Sequence, residues 1–152
     1  MEDRTTSERM KRLLEIFVQV NKKIVPADEN LLADFTRRAV EHGVPDSVAG
    51  QLVEFYRISN GTPCFDGFSL HRCDDEILFE WWESDRELWL GQRDCDVLRW
   101  ADGKFCLGDA SNTSYGEEYE FPTLVDLLEV AYKDWGFMMD GENEVNAGIK
   151  LE

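Results

Sequence analysis

No stretch of this 152-residue chain approaches the roughly 18 consecutive apolar residues that cross a bilayer. The N-terminus mixes charges from its second residue and has no apolar core of the kind a signal peptide needs. A cytoplasmic protein without a membrane partner is therefore the expectation. Paired C-x2-C knuckles are missing, and so are the P-loop and G-x-G-x-x-G patterns. Only two histidines occur, His42 and His71, and neither lies beside a serine or cysteine with a nucleophile signature. These absences argue against the common metal, nucleotide and hydrolase classes, and no catalytic residue, metal or cofactor is expected.

What the chain does carry is acid. Its 32 Asp/Glu outweigh 16 Lys/Arg, for a net charge of −16. The excess is uneven: nine Lys/Arg face ten Asp/Glu through residue 60, whereas seven face 22 after it. A field of that sign repels nucleic acid and speeds encounter with a basic protein. Solubility alone would also favour an acidic surface, but it does not call for the asymmetry.

Helix signals fill the first 60 residues. Thr5-Thr6-Ser7-Glu8 has capping-box spacing, and Met10, Leu13, Leu14, Phe17, Val20 and Ile24 follow at helical intervals. Asp28 can cap a second helix carrying Leu31, Leu32, Phe35 and Ala39, ended by Gly43. Pro45-Asp46 opens a third with Val48, Leu52, Phe55 and Tyr56 inward, and Asn60-Gly61 stops it.

Strand signals follow over 65–70, 77–82, 88–92, 97–101 and 104–108. Asp102-Gly103 predicts a two-residue hairpin pairing Ala101 with Lys104, Trp100 with Phe105, Arg99 with Cys106 and Leu98 with Leu107. That register puts Leu98, Trp100, Phe105 and Leu107 on a buried face and leaves Arg99, Lys104 and Cys106 exposed. A closing helix starts at Pro122-Thr123, with Thr123 and Asp126 as a capping box and Leu124, Leu127, Leu128, Ala131 and Trp135 as its stripe. Helices, then strands, then a helix predict an α+β fold: a central, mainly antiparallel sheet of five to six strands, flanked by N-terminal helices and a C-terminal helix. One domain is expected over 1–139. Residues 140–152 read as a polar tail, with Leu151-Glu152 resembling a tag junction.

Three kinds of chemistry can be weighed on these residues. Cys64, His71 and Cys73, joined by Cys95 or Cys106, could ligate zinc, but their spacing is not that of a structural zinc site, and small buried residues on strands are the better reading. The many carboxylates could include an acid/base pair, yet they sit in turn-like segments where solvated carboxylates are the default. In "FEWWESDRELWLG", strand spacing sends Ile77, Phe79 and Trp81 to the core and Trp82 to the surface as an interface anchor. Carboxylates interspersed with aromatics suit a basic protein partner. The expected contacts are Asp74, Asp75, Glu76, Glu80, Trp82, Glu83, Asp85, Glu87, Tyr115, Glu117 and Glu118.

"VPDSVAGQLVEFYRISNG" followed by "GQRDCDVLRWADGKFCLGDASNTSYGEEYEFPTLVDLLEVAY" resembles the SUKH superfamily, which includes bacterial toxin-immunity proteins and the yeast regulator of cell-wall synthesis. The likeness runs from about Val44 to Trp135. It rests on the proline-led helix ending in Asn60-Gly61, the Gly108-Asp109 turn after a strand, and the helix behind F-P-T-L. It implies an α+β fold and neutralisation of a cognate toxin by direct binding. Asn60, Gly61, Gly108 and Asp109 carry over as fold-keeping positions only. The expected function is an immunity protein that binds a cognate toxin domain, for instance a basic nuclease, through an acidic surface. The alternative is a regulatory or scaffold module that recognises a peptide or other ligand through Trp82 and the acidic loops.

Overall fold

The computed structural model describes residues 2–15, 23–65, 68–80, 87–101, 103–109, 111 and 114–131. Asp28 starts a helix as expected: its carboxylate accepts the Leu31 N–H at 2.8 Å. This helix, α2 (Glu29–Glu41), follows α1 (Glu2–Leu13) and precedes α3 (Asp46–Ile58). Gly43, at φ 77°, turns the chain out of α2, and Gly61, at φ 75°, turns it away after α3. A last helix, α4, runs through residues 124–131. Its Asp126 N–H donates to Thr123 Oγ1 at 3.2 Å, and its Leu124 N–H donates to Gln51 Oε1 on α3 at 2.8 Å. Two of the N–H groups that open α4 are thus answered by side chains. The capping box anticipated at Thr5–Glu8 is not where α1 begins, because the helix is already formed at Glu2.

Six strands form one antiparallel meander in chain order among the described residues: β1 (Thr62–Phe65), β2 (Phe68–Leu70), β3 (Leu88–Arg93), β4 (Asp96–Ala101), β5 (Lys104–Gly108) and β6 (Glu120–Phe121). Among the described residues four helices accompany it, and the fold is α+β. Phe68, Leu70, Leu88, Leu98, Trp100, Phe105 and Leu107 join Leu32, Phe35, Leu52, Phe55, Leu124 and Leu128 in one buried cluster. Each such side chain contributes about 1.5–3 kcal/mol of burial. Phe35 meets Tyr56 edge-on at 5.3 Å, locking α2 to α3.

The hairpin register is the expected one, Ala101 with Lys104 through Leu98 with Leu107. Its second face is not open, however. Arg99 is 1 % exposed and Cys106 2 %, and only Lys104 of the three stands in solvent. The chain leaving β5 reaches this face at one point, where the Asp109 carbonyl accepts Arg99 Nη2 at 2.8 Å, and it then runs along the β5 edge, where the Tyr115 N–H donates to the Leu107 carbonyl at 3.0 Å. Alternation within the hairpin could not reveal what the rest of the chain lays over this face.

Two further expectations change. The strand read over 65–70 is two strands, β1 and β2, paired with each other. The strand read over 77–82 is instead a 3-10 turn at Glu76–Phe79, with residues 81 and 82 outside the described residues. Asp75 caps that turn by accepting the Ile77 N–H at 3.1 Å, and β2 pairs directly with β3, leaving no ladder for a strand between them.

A bulge in β3 sets Trp89 opposite Arg99 and Gly91 opposite Leu98. At Gly91 a Cβ would lie 2.3 Å from the Ser69 carbonyl oxygen and 2.9 Å from Leu70 Cα, so the two backbones touch only because it is glycine. Gly103, at φ 78°, has open space around its Cα. Gly91→Ala should therefore lower unfolding stability by about 3 kcal/mol through overpacking, and Gly103→Ala by only about 1 kcal/mol through its backbone angle. Urea titration measures both, and equal losses would contradict the close approach at Gly91.

Candidate docking loops at opposite ends of the sheet

The first loop, residues 71–80, leaves β2 beside β3, where the His71 N–H donates to the Leu90 carbonyl at 2.9 Å. It is held by its apolar side chains. Cys73 and Leu78 are fully buried, and Phe79 stacks on His42 at 4.5 Å and lies under the Arg38 guanidinium at 5.0 Å. Both peptide groups around Cys73 are taken by side chains from the helical layer. Its N–H donates to Asn60 Oδ1 at 2.7 Å, and its carbonyl accepts from Arg38 Nη2. Asn60 Nδ2 also donates to Asp74 Oδ1 at 3.1 Å, and Arg72 Nε reaches the same oxygen at 3.1 Å. Burial works against the ionised Asp74, yet Arg72 and Asn60 hold its carboxyl below the usual range.

With the anchors turned inward, Asp74, Asp75, Glu76 and Glu80 are all exposed. Asp74 and Asp75 are engaged in holding the loop. Glu76 and Glu80 have no cation within ion-pair distance among the described residues, which leaves their charge for solvent or a partner.

The second loop follows β5. Tyr115 is 39 % exposed, and its hydroxyl donates to Asp96 Oδ1 at 2.6 Å. Asp96 also accepts Arg93 Nη2 at 2.7 Å, and Arg93 Nη1 donates to the Ala131 carbonyl on α4 at 2.7 Å. Burial and the neighbouring Asp96 carboxylate together push the Tyr115 phenol above its usual range. Tyr119 meets Tyr115 edge-on at 5.7 Å, with Glu117 and Glu118 exposed between them.

The two loops do not form one face. The first is rooted beside Leu90 on the β2 side of β3, whereas Tyr115 is tied to Asp96 of β4, which pairs with Arg93 at the end of β3. Leu90 to Arg93 spans about 10 Å at strand rise, and the two anchors lie on opposite sides of β3. Asp74, Asp75, Glu76 and Glu80 are therefore brought together, and Tyr115, Glu117 and Glu118 form a separate group. Glu87 is 9 % exposed and so buried at the mouth of β3, which removes it as a surface contact. Trp82, Glu83 and Asp85 lie outside the described residues.

Among the described residues no His, Cys, Asp and Glu side chains converge as a metal-binding group, and no helix is long and apolar enough to cross a membrane. Cys73, Cys95 and Cys106 are free thiols. Burial, helped by the Asp74 carboxylate, pushes the Cys73 thiol up to about 11, which suits a packing residue rather than a nucleophile. An open groove of about 400 Å³ is lined by Arg9, Arg12, Leu13 and Glu129. Arg9 is closed off there by Asp126 at 2.9 Å and Glu129 at 2.5 Å. A cavity of about 10 Å³ between α3, α4 and the sheet, to which His71 contributes, is too small for anything beyond one water.

Asn60 and Arg38 are the contributors that sequence reasoning missed. Asn60-Gly61 reads as a helix stop, and nothing in the local pattern singles out Arg38. Their targets lie 13 and 35 residues away, beyond any local pattern. Compared with known proteins, the chain matches no family model, no curated protein and no solved structure.

Among the described residues the buried His71 Nε2 has no hydrogen-bond partner, and burial holds the imidazole below its usual 6.5. The folded state therefore binds this proton less readily than the unfolded chain. The stability tied to neutral His71 is complete above about 6.5 and is lost as pH falls below it. In urea titrations from pH 7.5 to 5, His71→Gln should flatten this loss relative to wild type. Parallel curves for the two proteins would contradict the assignment.

Proposed function

We propose that this protein is an immunity protein of the SUKH type that binds a basic toxin domain and blocks it, with the loop of residues 71–80 as its main docking surface. The observation that carries the reading is that loop: four exposed carboxylates on a segment fixed from beneath by Cys73, Leu78, Phe79, Asn60 and Arg38. A docking segment ordered before contact avoids much of the entropy cost of binding. The acidic excess beyond residue 60 adds long-range steering toward a cationic surface such as the nucleic-acid site of a nuclease. The SUKH resemblance supports the same role, since its bacterial members act by binding. The reading needs no catalysis by this chain. It puts the encounter in the cytoplasm and gives nucleic acid no direct contact. The 114–119 group, with Tyr115 as its aromatic, is a secondary contact at the far end of the sheet.

The test uses as its partner probe a basic toxin domain chosen from the genes adjoining the one for this protein. Glu76→Lys with Glu80→Lys leaves every residue that ties the loop intact. It should slow association about tenfold at low salt and flatten the salt dependence. Glu117→Lys with Glu118→Lys should have a smaller effect. Association rates that the first pair leaves unchanged, or a wild type that neither binds nor protects, would overturn the proposal. In that case a regulatory or scaffold module recognising a peptide becomes the better account.

A further inference from the structure

We infer that Asn60 and Arg38 are positioning residues for the docking loop: by holding the two peptide groups that flank Cys73, they set where the carboxylates of Asp74 to Glu80 stand. This inference rests on the docking reading above and deepens it. Neither side chain is needed to end its own helix. The α2 terminus is satisfied by backbone groups at His42, and the α3 terminus by the Ser59 N–H donating to the Phe55 carbonyl at 2.9 Å. Asn60 instead directs both ends of its amide at the loop, accepting from the Cys73 N–H and donating to Asp74. Arg38 is mostly buried, is oriented by Asp34 at 3.1 Å, and covers the Phe79 ring while donating to the Cys73 carbonyl. The loop's backbone is thus latched from both sides at one residue, directly before its run of acid. Within the loop the Asp75 cap on Ile77, the Arg72 pair with Asp74 and the Asp75 N–H donating to the Arg72 carbonyl at 3.1 Å are short-range ties, whereas Asn60 and Arg38 reach it from the helical side.

A latch of this kind opens locally, without unfolding the sheet. Cys73 lies under the latch, whereas Cys106 is buried on the opposite face of the sheet outside the main core, so the two thiols report different events. The experiment compares alkylation rates of individual cysteines, mapped by peptide mass, with dissociation of the complex formed with the adjacently encoded toxin domain. In Asn60→Ala, Cys73 labelling should accelerate about tenfold with little dependence on urea, while Cys106 labelling is unchanged. Dissociation should be faster by a similar factor. The salt dependence of association should hold, because every carboxylate of the loop remains. Arg38→Lys keeps the charge but not the forked donor, so it should show the same pattern more weakly, and it serves if Asn60→Ala does not fold. Cys73 and Cys106 accelerating together with steep urea dependence would make the two residues merely structural, and so overturn the inference. Unchanged dissociation in a variant whose latch has opened would also overturn it, while leaving the docking reading intact. That reading fails separately, if reversing Glu76 and Glu80 leaves association untouched.

Discussion

The pairing of Ala101 with Lys104 across a two-residue turn is the constraint on which the rest of the molecule depends. It sets β4 against β5, and β4 in turn sets β3. Through β3 it determines where β2 ends and where the first acidic loop departs. Because strand side chains alternate with period two, a slip of one residue would send Leu98, Trp100, Phe105 and Leu107 away from the helices and bring Arg99 into the core. That outcome would cost several buried side chains at once, so a single register survives.

A sheet so fixed leaves one problem, its second face. Arg99, Cys106, Val97 and Ala101 are buried there outside the cluster that the helices cover. A buried guanidinium is tolerated only when its donors are answered, and the Asp109 carbonyl answers one of them. The Gly108-Asp109 step brings the carbonyl that Arg99 needs to the end of β5. The tie from Tyr115 to Asp96, with Asp96 held by Arg93, secures the chain beyond it.

The local features are the legible ones. The Asp28 cap, the Thr123 cap and the Ala101–Lys104 hairpin register each involve residues within a few positions of one another, where spacing and propensity decide the outcome. The 3-10 turn at Glu76–Phe79 is hidden, because its apolar alternation imitates a strand and what decides against one is the direct pairing of β2 with β3. Burial of Arg99 and Glu87 is hidden for a related reason: both depend on what the chain elsewhere lays over them. The acid after residue 60 is legible as a concentration, but its division between two ends of the sheet follows only from strand register. Composition can count the charge. It cannot show that Asn60 and Arg38 reach across the sequence to the peptide groups that flank Cys73.

The claim at the centre of this account is that residues 74–80 are a preformed docking surface for a basic toxin domain. Amide hydrogen exchange with and without the adjacently encoded toxin domain tests it most directly. Exchange should slow across 74–80 on binding, with a lesser change at 114–119 and none along β4. Slowing confined to the second loop, or absent from both, would contradict it.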